Sequence, residues 1–189
     1  MFLWVTQAMA DSFMPPAATE IAESVDTLYA FLLWASVISS LLVIGGMTYF
    51  GIKYRRKTDN DKTPYISHNG TLEFLWSFIP FVIFMIVFAW GWWIYHDMRS
   101  MPKNAFEVHV TGAKWYWDFQ YKSGRKSTGE LYVPVGEPVK LIMNSKDVIH
   151  SFYIPGFRIK QDVVPGRYSA IWFEATKVGT FQVFCTEYC

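Results

Sequence analysis

The sequence predicts a membrane-bound α + β protein, in which a two-helix transmembrane hairpin carries a C-terminal β-sandwich or barrel. Three observations predict it. Two long runs lack any charged residue, Leu28–Ile52 with 25 residues and Phe74–Tyr95 with 22. After Ala105 the apolar period shortens to two, and from there turn residues recur densely to the C-terminus. The composition agrees: 52% of the 189 residues are hydrophobic and 19% aromatic, more than a soluble core needs.

At the N-terminus, Met1–Ala10 ends in a small residue but lacks the basic region and the apolar length of a full signal-peptide pattern. Residues 1–27 read as an extracytoplasmic tail, in which Asp11, Glu20, Glu23 and Asp26 have no Lys or Arg beside them. Residues 28–52 and 74–96 read as the two spans, each long enough at about 1.5 Å per residue to cross a hydrocarbon core of roughly 30 Å. Lys53, Arg55, Arg56, Lys57 and Lys62 crowd the loop 53–73 between them. Positive residues in a short loop stay cytoplasmic, which places everything after Tyr95 outside. Trp90, Trp92, Trp93 and Tyr95 suit a membrane–water boundary. Pro80 removes a backbone donor and is expected to bend the second helix unless a neighbour absorbs the loss.

Residues 105–189 alternate. Phe106, Val108 and Val110 interleave with Glu107, His109 and Thr111; Val139, Leu141 and Met143 with Lys140 and Asn144; Phe181, Val183 and Cys185 with Thr180 and Gln182. This is the pattern of half-buried strands. Turns at Ser123-Gly124, Pro134-Val-Gly, Pro155-Gly, Pro165-Gly and Val178-Gly separate them, and an antiparallel β domain follows.

Chemistry concentrates at the C-terminus. Cys185 and Cys189 are the only cysteines and flank Glu187. A lone pair outside the cytoplasm reads as a disulfide, although one joining such near neighbours constrains little chain entropy. Two thiolates from one loop also suit a soft metal, for which copper with an imidazole is the natural partner. His150 ends the Asp147-Val-Ile-His segment and can aim at that loop, whereas His68, His96 and His109 sit at a cytoplasmic position, a membrane boundary and a solvated strand face.

Four segments carry a family resemblance: Asn69-Gly-Thr-Leu-Glu-Phe-Leu-Trp-Ser-Phe-Ile-Pro, Lys114-Trp-Tyr-Trp-Asp-Phe, Asp147-Val-Ile-His-Ser-Phe with Lys160-Gln-Asp-Val-Val-Pro-Gly-Arg, and Cys185-Thr-Glu-Tyr-Cys. In their order they resemble subunit II of the haem-copper cytochrome c oxidases, from about Leu28 to Cys189. The resemblance implies a cupredoxin-like Greek-key β domain and an electron-accepting subunit of a proton-pumping terminal oxidase in a bacterial inner membrane, with its β domain periplasmic. It implies a binuclear copper centre (CuA) held by His150, Cys185, Cys189 and the backbone carbonyl of Glu187, whose carboxylate reaches a magnesium at the contact with the large subunit. Trp115 becomes the aromatic that receives the electron from cytochrome c, lined by Tyr116 and Trp117. The resemblance also implies that Glu73 lies at the mouth of a proton-uptake channel, a role that coexists with stabilising the helix N-terminus.

Two features depart from the family pattern. The family's copper loop continues with Gly, a second His, a Met and a last strand, whereas this sequence stops at Cys189, so a longer polypeptide is expected. Ala113-Lys114 stands before Trp115 where the family often has His-Gln. The partners implied are a haem-bearing large subunit I, cytochrome c and the membrane, with no nucleic acid. Residues 105–189 hold eight acidic residues against ten Lys and Arg, too few acids to steer a basic donor, so a cytochrome c held by fusion or by a neighbouring subunit is expected beside a soluble one. The competing functions are a copper-free quinol oxidase subunit II, which lacks the Cys and His ligands, a structural membrane scaffold, and the copper subunit of a nitric oxide reductase.

Overall fold

The computed structural model describes residues 14–62 and 65–189; the Met1–Ala10 segment weighed as a signal peptide lies outside the described residues. Helix α1 spans Glu20–Lys53 and α2 spans Gly70–Arg99. Both exceed the uncharged runs because capping extends them into polar sequence, so residues 20–27, read as tail, are helical. Thr19 Oγ1 accepts from the Ala22 N–H at 3.0 Å and Asn69 Oδ1 from the Leu72 N–H at 3.1 Å. Glu20, Glu23 and Glu73 in the first turns meet the positive helix ends. Pro80 lies within α2, which continues past it to Arg99. Both helices are long and apolar enough to cross a membrane.

The C-terminal region is a cupredoxin-like sandwich of eight strands: β1 Phe106–Ala113, β2 Tyr116–Tyr121, β3 Lys126–Thr128, β4 Pro138–Ser145, β5 His150–Ile154, β6 Ile159–Val163, β7 Ser169–Glu174 and β8 Phe184–Cys185. They form one sheet ordered β3-β2-β1-β4-β7 and a second ordered β6-β5-β8. Two expectations are corrected. The domain is not wholly antiparallel, because β1 and β4 pair in parallel from Phe106↔Val139 to Gly112↔Ser145. The β2–β3 hairpin between them supplies the long connection that a parallel pair needs. The alternation over residues 180–185 yields only the two-residue β8. Phe181 and Val183 pack against the core instead, Phe181 lying 4.9 Å from the Phe157 ring. That alternation encoded burial rather than strand pairing.

Val108, Val110, Leu141, Met143 and Phe173 from the first sheet meet Phe152, Ile159 and Val163 from the second, all essentially inaccessible. Each such side chain contributes about 1.5–3 kcal/mol on burial, and together they fix the strand ends from which the site is built.

The sandwich is fastened to the start of α1. At about 1.5 Å per residue a helix of this length outruns a membrane core, leaving its first turns free for protein contacts. Asp26 and Arg158 form a bidentate ion pair there, Nε–Oδ1 2.8 Å and Nη2–Oδ2 2.9 Å, with both side chains about nine-tenths buried. Arg158 follows the 3-10 turn Pro155–Phe157 in a left-handed conformation (φ 55°) and also donates to Pro15 O at 2.7 Å. Ala18 N–H donates to Gly156 O, and Thr176 N–H to Ala18 O, at 2.9 Å each. Asp26→Ala leaves a buried guanidinium unpaired and is expected to cost about 3–5 kcal/mol. Denaturant unfolding of detergent-solubilised protein checks this, and Asp26→Leu with Arg158→Met is expected to recover most of the loss.

Candidate metal centre

His150 opens β5 at the sandwich end remote from α1, and its ring is 2% exposed. The preceding loop is organised around Asp147, whose carboxylate accepts from the Val148 N–H at 2.7 Å, the Lys114 N–H at 2.9 Å and His150 Nε2 at 2.7 Å. These donors, His150 first, hold Asp147 well below the usual carboxylate range. With Nε2 donating to Asp147, the proton is fixed on that nitrogen and Nδ1 is left as a ligand atom. Burial works against a charged His150, but the Asp147 and Cys185 contacts outweigh it and raise its pKa above the ordinary value.

Nδ1 faces the two cysteines. Cys185 Sγ lies 3.9 Å from it, and Cys189 Sγ lies 3.5 Å from Cys185 Sγ. Both thiols are free and exposed, and all three ligand atoms lie within 4.8 Å of one another. Burial pushes the Cys185 thiol up, yet the N–H groups of Ser151 and Glu187, with His150 and Cys189, more than offset it, so its pKa falls below the ordinary value. Cys189 is displaced upward by its contact with Cys185. Two sulfurs and one imidazole nitrogen converging on one point are a soft donor set, which fits copper. Glu187 is exposed in the loop between the cysteines, its Oε1 accepting from the Tyr188 N–H at 3.0 Å.

The aromatic segment lies beside this cluster. Trp115 is 83% exposed in the β1–β2 turn, and its neighbour Lys114 is tied through its N–H to the same Asp147 that holds His150. Tyr116 is also exposed, while Trp117 is half-buried with its ring 5.8 Å from His150 and 5.2 Å from Phe152. Gly112 lies under both rings: a Cβ there would come within 2.9 Å of Trp117 and 3.0 Å of His150. Glu73 is not brought to this end. It lies in the first turn of α2, its Oε1 2.9 Å from His68 Nδ1 and accepting from the Asn69 N–H at 3.3 Å. His96 is in the last turn of α2, where its carbonyl accepts from Ser100, and His109 is exposed on β1. Sequence reasoning missed Asp147 as the partner of His150 and Gly112 as its floor. The Asp-x-x-His spacing was a usable signal for the first.

Residues 7–92 match the model of the cytochrome c oxidase subunit II transmembrane domain, and residues 125–189 match that of its periplasmic domain. Cytochrome c oxidase subunit 2 of Synechocystis is 30% identical, over 99% of this chain and 70% of the relative. The chain belongs to the cytochrome c oxidase subunit II family. Cytochrome c oxidase subunit 2 of Alkalihalophilus pseudofirmus is 32% identical over 86% of this chain, and the chain spans about half of that relative's length (51%). Among solved structures, the periplasmic domain of subunit II of cytochrome oxidase (CoxB) of Bradyrhizobium japonicum shares 31% identity, covering 48% of this chain and 78% of that one with a TM-score of 0.46. Family membership and the two apolar helices make this subunit II homologue a membrane protein.

Proposed function

We propose that the chain is the electron-accepting subunit of a haem-copper terminal oxidase, taking electrons from a cytochrome c on behalf of a haem-bearing large subunit that reduces oxygen and pumps protons. The convergence of His150 Nδ1 with the Cys185 and Cys189 sulfurs carries this reading. His150, Cys185, Cys189 and the Glu187 backbone would hold a binuclear copper centre, and the exposed Glu187 carboxylate would reach a magnesium at the subunit contact. Bound there, copper supplies a one-electron carrier with thiolate ligands. The rest is the chain's own work: Asp147 orients the imidazole, the Ser151 and Glu187 N–H groups hold Cys185 toward the thiolate, and Trp117, itself packed on Phe152, covers one side of the ring. The sandwich stands on the periplasmic side of a bacterial inner membrane, since the basic loop 53–62 marks the cytoplasmic face.

Trp115 would receive the electron. Its exposure presents it to a docking partner, and Asp147 connects its turn to His150. Trp115→Leu in the assembled oxidase is expected to slow reduction by cytochrome c at least tenfold while the copper absorption stays unchanged. Stopped-flow mixing checks this, and an unaltered rate would remove Trp115 from the path.

Glu73 would serve proton uptake on the opposite face. Gln at this position still accepts from the Asn69 N–H, so the helix cap survives substitution. Glu73→Gln is expected to lower steady-state turnover severalfold while leaving copper content and copper reduction intact. Full turnover in the variant would leave Glu73 as a helix-end charge paired with His68.

A further inference from the structure

A cavity of about 670 Å³ opens at the rim of the five-stranded sheet, between the segment leaving α2 and the β2–β3 turn. Lys103, Lys122 and Arg125 line it with Phe106, Glu107 and Tyr132. The turn carrying two of these cations is tightly closed: Gly124 N–H donates to Tyr121 O and Tyr121 N–H to Arg125 O, both at 2.9 Å. Gly124 takes φ 84° there, a conformation suited to Gly. Arg125 lies 6.0 Å from the Tyr132 ring centroid, and the Tyr132 N–H is pinned to Tyr121 Oη at 2.7 Å. Glu107 is already engaged by Lys140, Nζ–Oε1 3.0 Å. Among the described residues, none of Lys103, Lys122 and Arg125 is in an ion pair. Three cations without an ion-pair partner therefore face one cavity, in which Glu107 is bonded to Lys140 and also feels Lys122, and at whose edge Glu130 accepts from the Tyr132 hydroxyl.

Strand register gives the cavity's position. Phe106 pairs with Val139, Pro138 with Glu174 and Val108 with Tyr121. These pairs lie at the sheet end where Thr176 N–H bonds Ala18 O at the foot of α1. His150 lies at the other end, against Gly112. The cavity is thus at the end of the sandwich that meets the start of α1 and receives the chain leaving α2. Laterally, β7 touches α2, and in the order β3-β2-β1-β4-β7 strand β2 is three places away. At about 4.8 Å per strand it overhangs by roughly 14 Å. Exposed Trp92, Trp93 and Tyr95 mark the headgroup level on α2, and Lys103 follows that helix's last residue, Arg99, by four positions.

The geometry points to an anionic phospholipid headgroup, from the leaflet beneath the β domain, as the occupant of this cavity. Its phosphate sits among Lys103, Lys122 and Arg125, and its glycerol end lies against Phe106 and Tyr132. Inorganic phosphate shares the charge but not the downward attachment that the cavity's position suits.

Native mass spectrometry of the full chain, purified in detergent with phosphatidylglycerol or phosphatidylcholine added, tests the assignment. Phosphatidylglycerol is expected to be retained at one molecule per chain and phosphatidylcholine to be lost. Each near-surface cation contributes roughly a factor of five to anionic lipid binding, so Lys122→Gln with Arg125→Gln should weaken retention about thirtyfold. Circular dichroism of that variant should match the parent, because both side chains are on an exposed turn. Lys57→Gln with Lys62→Gln, at the opposite membrane face, should leave this lipid bound. Equal retention by the Lys122/Arg125 variant, or equal retention of phosphatidylcholine, would overturn the proposal. Displacement of the lipid by millimolar inorganic phosphate would identify a free-anion site and overturn it too.

Discussion

Replacing Cys185 with Ser is expected to abolish the intense absorption of a thiolate-bridged copper pair in the copper-loaded protein and to lower its copper content from two ions per chain to one or none. Cys185 is the sulfur that touches both other ligand candidates, His150 Nδ1 at 3.9 Å and Cys189 Sγ at 3.5 Å. It also receives the backbone N–H groups that favour its thiolate, and its pKa is displaced downward while that of Cys189 is displaced upward. A serine hydroxyl in the same place stays protonated at neutral pH and offers no soft donor. The substitution should not unfold the domain, because Cys185 is exposed in the two-residue β8 and surface replacements typically change stability by about 0.5 kcal/mol or less. Copper analysis, the visible spectrum and circular dichroism on one preparation separate ligand loss from unfolding. A parent protein that binds no copper and yields a Cys185–Cys189 disulfide would defeat the metal reading.

The parts legible from sequence were those encoded by local period and by residue chemistry. Uncharged runs exposed both helices, and alternation exposed β1 and β4. The rarity of cysteine drew attention to Cys185 and Cys189, and only His150 of the four histidines had a strand end from which to reach them. Less legible were features decided by contacts distant in sequence. The first turns of α1 carry acids that look like tail until Asp26 meets Arg158, 132 residues away. The parallel β1–β4 pairing depends on where the β2–β3 hairpin returns the chain, which no window of alternation contains. Phe181 and Val183 alternate like strand residues because they pack on the core, while the backbone bonds that would make a strand are missing there. Asp147 was visible as a residue but not as the acceptor joining the Lys114 N–H to His150 Nε2.

Gly112→Ala is expected to lower copper affinity about ten- to a hundredfold and to alter the copper spectrum, although residue 112 has no side chain to offer a metal. The added methyl would come within 2.9 Å of Trp117 Cζ3 and 3.0 Å of His150 Cδ2. Both are ring atoms of packed aromatics, so neither can yield by a terminal rotation. Overpacking of this kind typically costs about 1–3 kcal/mol, and the displacement is shared between the half-buried Trp117 indole and the buried His150 imidazole. Asp147 resists the imidazole's share at Nε2 through a 2.7 Å hydrogen bond, so motion about this anchor is carried to Nδ1, the atom that faces Cys185. Misorienting a ligand through its supporting residues commonly weakens metal sites by the factor given. Trp117→Leu in the Gly112→Ala background removes one of the two clashes and should recover part of the affinity, a coupling that independent sites would not show. Gly179→Ala serves as the control, since its Cβ would meet Phe181 at an ordinary 3.5 Å and should leave copper binding unchanged. Competitive chelator titration of the four proteins measures the outcome, and parent-like affinity in Gly112→Ala would show that His150 is not held from below.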